Sequence, residues 1–215
     1  MILYSEDSSP YCAPVRAAIY AKGLDIPIAA PPGGLKSEEY RRVSGTGTIP
    51  CLVLDDGTPL PESAVIIGYL DEKFPQNPLR PADPEGRART ALILKLAEGG
   101  LMVPMVQLFH DLGAGGGDAA RKAAAEKMAQ GLANIERFMP GDGYAVGGSM
   151  SQADCVLAPV LFGVAAWAGG LGQPDLLTRF PRLSAYAGRA SAQPAIVRVL
   201  GELQAALERS QAVLG

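Results

Sequence analysis

Four prolines fall within ten residues, at Pro75, Pro78, Pro81 and Pro84, and neither a helix nor a sheet ladder can run through such a stretch. Each proline fixes φ, lacks an amide hydrogen and biases the residue before it toward extended backbone. The stretch therefore predicts a stiff, extended connection at a domain boundary. Before it, short apolar runs alternate with helical ones; after it, the hydrophobic period is helical throughout. The chain reads as an α/β domain over residues 1–76, a linker over 77–84 and an all-helical bundle over 85–215.

In the first part, Ile2 to Tyr4 reads as a strand, Tyr11 to Lys22 as a helix stopped by Gly23, and Ile26 to Ala29 as a second strand. A strand, helix and strand within about thirty residues suggest a βαβ unit with parallel strands. Pro14 is tolerable in the helix's first turn, where amide groups lack intrahelical acceptors. After the loop Pro31-Pro32-Gly33-Gly34, Leu35 to Val43 is a weak, charged helix. Cys51 to Leu54 and Thr58 to Leu60 flank Asp55-Asp56-Gly57 as a hairpin, and Glu62 to Phe74 is the next helix. This order, βαβ then hairpin then helix, is a thioredoxin-like layout.

Beyond the linker, Glu85 to Leu112 is a long helix with Leu94, Leu101, Met105 and Leu108 along one stripe and an expected kink at Pro104. Asp118 is placed to cap a helix running to Met139, with Met128, Leu132, Ile135 and Phe138 on its apolar side. Cys155 to Gly172 carries no charge and approaches membrane-spanning length, but Pro159, several glycines and a capping signal ahead of it favour a buried core helix. That signal is Ser151-Gln152-Ala153-Asp154, whose spacing is that of a capping box, so Asp154 is assigned to folding rather than to catalysis. The last helices span about Pro181 to Ala192 and Pro194 to Val213.

Composition excludes several functions. The net charge is -3 and there is no block of lysines and arginines, so nothing provides an electrostatic footprint for nucleic acid or for an anionic membrane. Cys12, Cys51 and Cys155 have no regular spacing, which argues against a disulfide framework and for a reducing compartment. With His110 as the single histidine and no soft ligands near it, no metal site is expected. The N-terminus opens on strand-like sequence without a signal-peptide pattern, so the cytoplasm is the expected location.

Chemistry concentrates at Ser8-Ser9-Pro10-Tyr11-Cys12, directly before the first helix. Helix N-terminal amides and the positive end of the dipole stabilise a thiolate there, whether the protein's own or a ligand's. Ser9-Pro10-Tyr11-Cys12 resembles the redox motif of glutaredoxins with serine replacing the first cysteine, and its continuation to Val15-Arg16 resembles the start of a glutathione S-transferase. Thr48-Ile49-Pro50 and Pro61-Glu62-Ser63-Ala64 follow in the order this family shows.

The resemblance implies a homodimeric glutathione transferase with a thioredoxin-like domain followed by a helical one. Glutathione would be co-substrate, and a small hydrophobic electrophile would be its partner in the reaction. Ser9 is the implied donor to the thiolate, with Ser8 as an alternative. Ile49 and a cis Pro50 would pair with the cysteinyl backbone, Glu62 and Ser63 would hold the γ-glutamyl group, and Lys36 would compensate for Thr48, where relatives carry lysine or glutamine. Tyr11, Met102, Met105 and Phe109 would line the electrophile site, and Glu98 would reach a neighbouring subunit's glutathione. Two other readings stay open. One is a thioltransferase or dehydroascorbate-reductase-like enzyme dependent on Cys12, and the other is a noncatalytic interaction protein of the same fold.

Overall fold

Strand β1 (Ile2–Tyr4) lies inside a four-stranded sheet of order β2-β1-β3-β4, with β2 at Ile28–Ala29, β3 at Cys51–Val53 and β4 at Pro59–Pro61. It pairs parallel to β2 and antiparallel to β3, and β3 pairs antiparallel to β4. The expected thioredoxin-like layout is present, and helical structure follows it. The computed structural model describes the backbone of residues 1–214 and the side chains of residues 1–209.

Helix α1 (Cys12–Lys22) is buried on nearly all sides, which its small residues Ala13, Ala17 and Ala18 permit. Gly23 closes it at φ 66°, a left-handed conformation that suits glycine. Helix α2 (Glu38–Ser44) starts later than expected because Ser37 caps it, its hydroxyl accepting from the Tyr40 amide at 2.9 Å. Helix α3 (Ser63–Lys73) packs on α1 through a face that includes Ile66, Ile67 and Leu70. Val65 on the same helix is 50% exposed.

Lys22 and Asp71 form a buried ion pair at 2.7 Å between α1 and α3. Lys22 Nζ also donates to the carbonyls of Gln76 and Asn77, and Asp71 accepts from the Leu79 amide at 2.8 Å. The start of the proline-dense stretch is thereby tied to the first unit. Its last proline, Pro84, opens α4 (Pro84–Ala97) behind the cap Asp83, where a missing amide hydrogen costs nothing.

The long helix continues through a π turn, Glu98–Met102, into α5 (Val103–Gly113). Pro104 therefore sits in the first turn of α5, directly after a wide turn. Its buried stripe is Ile93, Ala97, Leu101, Met105 and Leu108, against α6 (Gly117–Glu136) and α7 (Gln152–Ala168). Among the described residues, Pro84–Gly113 is the one helical run that contains a stretch long and apolar enough to cross a membrane, with mean hydropathy 1.5 over an 18-residue window. Gly100 in the π turn and Gly131 on α6 meet backbone to backbone. Helix α6 ends at Glu136, and Phe138, expected on its apolar stripe, is 54% exposed.

Helix α7 is buried over most of its length, and Asp154 anchors its start. Asp154 Oδ2 accepts from the amide and hydroxyl of Ser151, and Oδ1 accepts from the Ala145 amide and the Tyr186 hydroxyl of α8 (Pro181–Ala190). The capping box is present, so Asp154 holds the fold as expected.

Two compact units result. One is Met1–Leu79 with the last helix from Val197 onward, and the other is Arg80–Ile196. Helix α9 (Pro194–Leu214), assigned from sequence to the helical domain, thus groups mostly with the first unit. Two ion pairs tie it there, as Glu202 pairs with the buried Arg16 of α1 and Arg209 pairs with Asp7.

Candidate functional site

Strand register gathers the candidate residues. Tyr4 at the end of β1 pairs with Ala29 at the end of β2 and with Cys51 at the start of β3, and Cys51 pairs with Pro61 at the end of β4. One row across the sheet therefore leads into four segments. These are the loop to α1 with Ser8 and Ser9, the loop after β2 with Lys36, the approach to β3 with Ile49 and Pro50, and the start of α3 with Glu62 and Ser63.

Ser9 is half-buried at the approach to α1, whereas Ser8 is exposed. The Ser9 hydroxyl accepts from the Cys12 amide at 3.3 Å, and the Ser9 carbonyl accepts from the amides of Cys12 and Ala13. A hydroxyl has one proton and two lone pairs, so accepting this bond leaves Ser9 a proton to donate. Tyr11, half-buried, occupies the capping position of α1 without a side-chain cap bond.

Cys12 is fully buried. Burial pushes its thiol above the ordinary value, and the Ser9 hydroxyl, the Glu6 backbone, the Ser5 hydroxyl and the Arg16 charge pull it down without reversing that. A protonated thiol closed off from solvent is a poor nucleophile.

The Ile49-Pro50 peptide is cis. Ile49 is half-buried and precedes Cys51, the first paired residue of β3. Tyr40, unnoticed in the sequence because it sits in a charged, weakly helical segment, is buried and donates its hydroxyl to the Thr48 carbonyl at 2.7 Å. Burial raises its phenol above the ordinary value, with Cys51 and Cys12 adding, so it remains a donor. Ser44 accepts from the Gly47 amide at 2.8 Å and fixes the same loop. Thr48 itself is exposed and shares a 2.7 Å hydroxyl contact with Thr46. Lys36 is exposed.

Glu62 is exposed and holds φ 72° and ψ 115°, a conformation that costs a non-glycine residue about 1–3 kcal/mol. Its carbonyl accepts from Ile66, and no side chain caps α3. With no acidic residue in the first turn, the N-terminal amides and dipole of α3 face the site with their preference for an anion unmet by the helix itself.

The remaining candidates lie in the second unit. Met102 and Met105 are buried at 3% and 6% exposure, and the Met105 methyl packs against Gly163 of α7, so both methionines are committed to that unit's core. Phe109 is 67% exposed, with its ring edge-on to His110. Glu98 pairs with Lys95 at 2.9 Å on the same helical run. Among the described residues, no three histidine, cysteine or acidic side chains are grouped to hold a metal.

Comparison with known proteins bears on this arrangement. Residues 3–78 match the family model for the glutathione S-transferase N-terminal domain, and residues 118–189 match that for the glutathione S-transferase C-terminal domain. A maleylacetoacetate isomerase of Pseudomonas aeruginosa is 31% identical over 208 residues, covering 91% of this chain and 93% of its own. A stringent starvation protein A homolog of Pasteurella multocida is 28% identical over 162 residues, covering 75% and 74%. A crystal structure of a Methylobacterium radiotolerans glutathione S-transferase in complex with glutathione sulfonate superposes at TM-score 0.79 with 26% identity, covering 92% and 93%. By both domain matches and by 31% identity to a relative over nearly the full length of both chains, the chain belongs to the glutathione S-transferase superfamily.

Proposed function

We propose that this protein is a glutathione transferase in which the Ser9 hydroxyl donates to the bound thiolate. The observation that carries the reading is the single row across the sheet, Ala29-Tyr4-Cys51-Pro61, which leads into every segment such a ligand needs. The cis Ile49-Pro50 segment would pair with the cysteinyl backbone, as an added strand pairs with a sheet edge. The open N-terminus of α3, with Ser63 in it and Glu62 beside it, would take the γ-glutamyl carboxylate and amino group. Exposed Lys36 is the nearest candidate in sequence for the glycyl end.

A free thiol near pKa ~8.5 is only a few per cent ionised at neutral pH. Lowering that value by about two units needs about 2.7 kcal/mol of preferential stabilisation of the charged form. One hydroxyl donor and the positive end of the α1 dipole are of the right size to supply it. The thiolate would then bond to an electrophilic carbon of a small apolar substrate. The likeness to a maleylacetoacetate isomerase favours a substrate with an activated double bond, attacked and released as its isomer. The proposal includes a homodimer in a reducing cytoplasm, to which three buried, unbridged cysteines are suited.

Ultraviolet titration of thiolate absorbance with added glutathione tests this reading. Wild type and Cys12→Ser are expected to ionise bound glutathione well below its free value, and Ser9→Ala to raise the bound value by about 1–2 units. Ionisation lost in Cys12→Ser and kept in Ser9→Ala would transfer the chemistry to the thiol. The absence of any protein-dependent thiolate in wild type would leave an interaction protein of this fold.

A further inference from the structure

Arg16 is 1% exposed, an unusual place for a guanidinium that stays charged at any working pH. Four of its hydrogen bonds define its surroundings. Nε donates to Glu202 Oε2 of α9 at 2.8 Å, Nη1 to the Ser5 hydroxyl at 2.9 Å and the Glu6 carbonyl at 3.0 Å, and Nη2 to the Asp7 carbonyl at 2.9 Å. The Glu6 carbonyl also accepts the Ser9 amide at 3.2 Å. One backbone oxygen thus joins the buried cation to the residue proposed to hold the thiolate.

Glu202 is fixed in turn. Its Oε1 accepts from the Tyr20 hydroxyl at 2.6 Å and lies 3.5 Å from Arg198 Nε, and the Arg198 guanidinium stacks 3.8 Å above the Tyr20 ring. Burial and the Glu202 carboxylate push the Tyr20 phenol up to about 12, so it keeps its proton for this bond. At the surface, Arg209 of α9 adds an ion pair to Asp7 at 2.9 Å. Glu202 and Arg209 fall seven positions apart on α9, two turns along one face.

We infer that Arg16 and Glu202 are positioning residues through which α9 sets the geometry of the Ser5–Ser9 loop, and with it the Ser9 hydroxyl. Among the described residues Glu202 is the one carboxylate bonded to Arg16, and the other three acceptors named are a hydroxyl and two carbonyls. Without it, a buried cation would be left without its counter-charge and would move toward water, taking the loop carbonyls with it. The inference rests on the role proposed for Ser9, but it has a readout that does not need glutathione.

Hydrogen exchange of the Ser8, Ser9, Tyr11 and Cys12 amides in the free protein is compared among wild type, Glu202→Ala, Glu202→Gln and Arg209→Ala. Glu202→Ala is expected to speed exchange of these amides about tenfold, relative to the sheet amides of β1 and β3, and to weaken glutathione binding about tenfold with a raised bound thiol pKa. Glutamine keeps an acceptor for Nε and should fall between, and the exposed Arg209 pair should matter little. If Glu202→Ala does not fold, the glutamine variant carries the same comparison. Equal exchange at Ser8–Cys12, with only the melting temperature lowered, would overturn the inference. Faster exchange in a protein that does not bind glutathione would support the coupling and reject the transferase reading instead.

Discussion

Asp154→Ala is expected to destabilise the second unit by about 3–5 kcal/mol, read as a lowered denaturation midpoint in urea. Asp154 is 3% exposed and accepts four hydrogen bonds at 2.8 to 2.9 Å, two on each oxygen. Alanine would leave the Ser151 and Ala145 amides and the Tyr186 hydroxyl buried without acceptors. Asparagine keeps one carbonyl oxygen and should lose about half as much, because its NH₂ cannot accept. Burial, followed by the Asp154 charge, holds the Tyr186 phenol well above its ordinary value. Its contribution is therefore present below about pH 10, where an unfolded tyrosine is also protonated, and declines as pH rises above that. The alkaline loss of stability should be smaller in Tyr186→Phe.

Gly131→Ala is expected to cost about 2–3 kcal/mol, even though alanine is the better helix former by about 1 kcal/mol. A Cβ at this position would lie 2.7 Å from the carbonyl carbon and 2.8 Å from the Cα of Gly100, so both obstacles are backbone. Gly100→Ala meets the Gly131 Cα at 2.8 Å and should behave alike. Gly163→Ala is the internal control. Its Cβ would meet the Met105 terminal methyl at 2.6 Å, and that flexible end can swing away at small cost. Denaturation midpoints of the three variants rank the effects, and a Gly131→Ala protein as stable as wild type would remove the close helix contact from the account.

Periodicity and punctuation explain what was legible in the sequence. Gly23 and the Ser151-Asp154 box act locally, and the structure has the expected α1 stop and α7 cap, while α4 starts at Pro84, one residue before the expected Glu85 and inside the stretch read as linker. The stripe on α4 was misread by one position, Leu94 for Ile93, because the π turn at Glu98–Met102 changes the phase between the helix's two halves. Met102 and Met105 are both buried beside that turn. At the candidate site, the motif residues could be named, but strand register, which gathers them at one end of the sheet, is a pairing between distant segments. Arg16 and Tyr40 were missed for a different reason. Arginine in a helix reads as surface, and a tyrosine among glutamates and arginines reads as incidental, until a loop carbonyl is found on each.

The buried amine of Lys22 gives the protein an internal reporter. The other lysines, at 36, 73, 95, 122 and 127, are exposed, whereas Lys22 is closed off on Asp71 and the carbonyls of Gln76 and Asn77. An amine-reactive reagent should therefore label five lysines at once and the sixth lysine only when α1, α3 and the following segment separate. Mass spectrometry of that sixth lysine would time the opening of the first unit, with no residue changed.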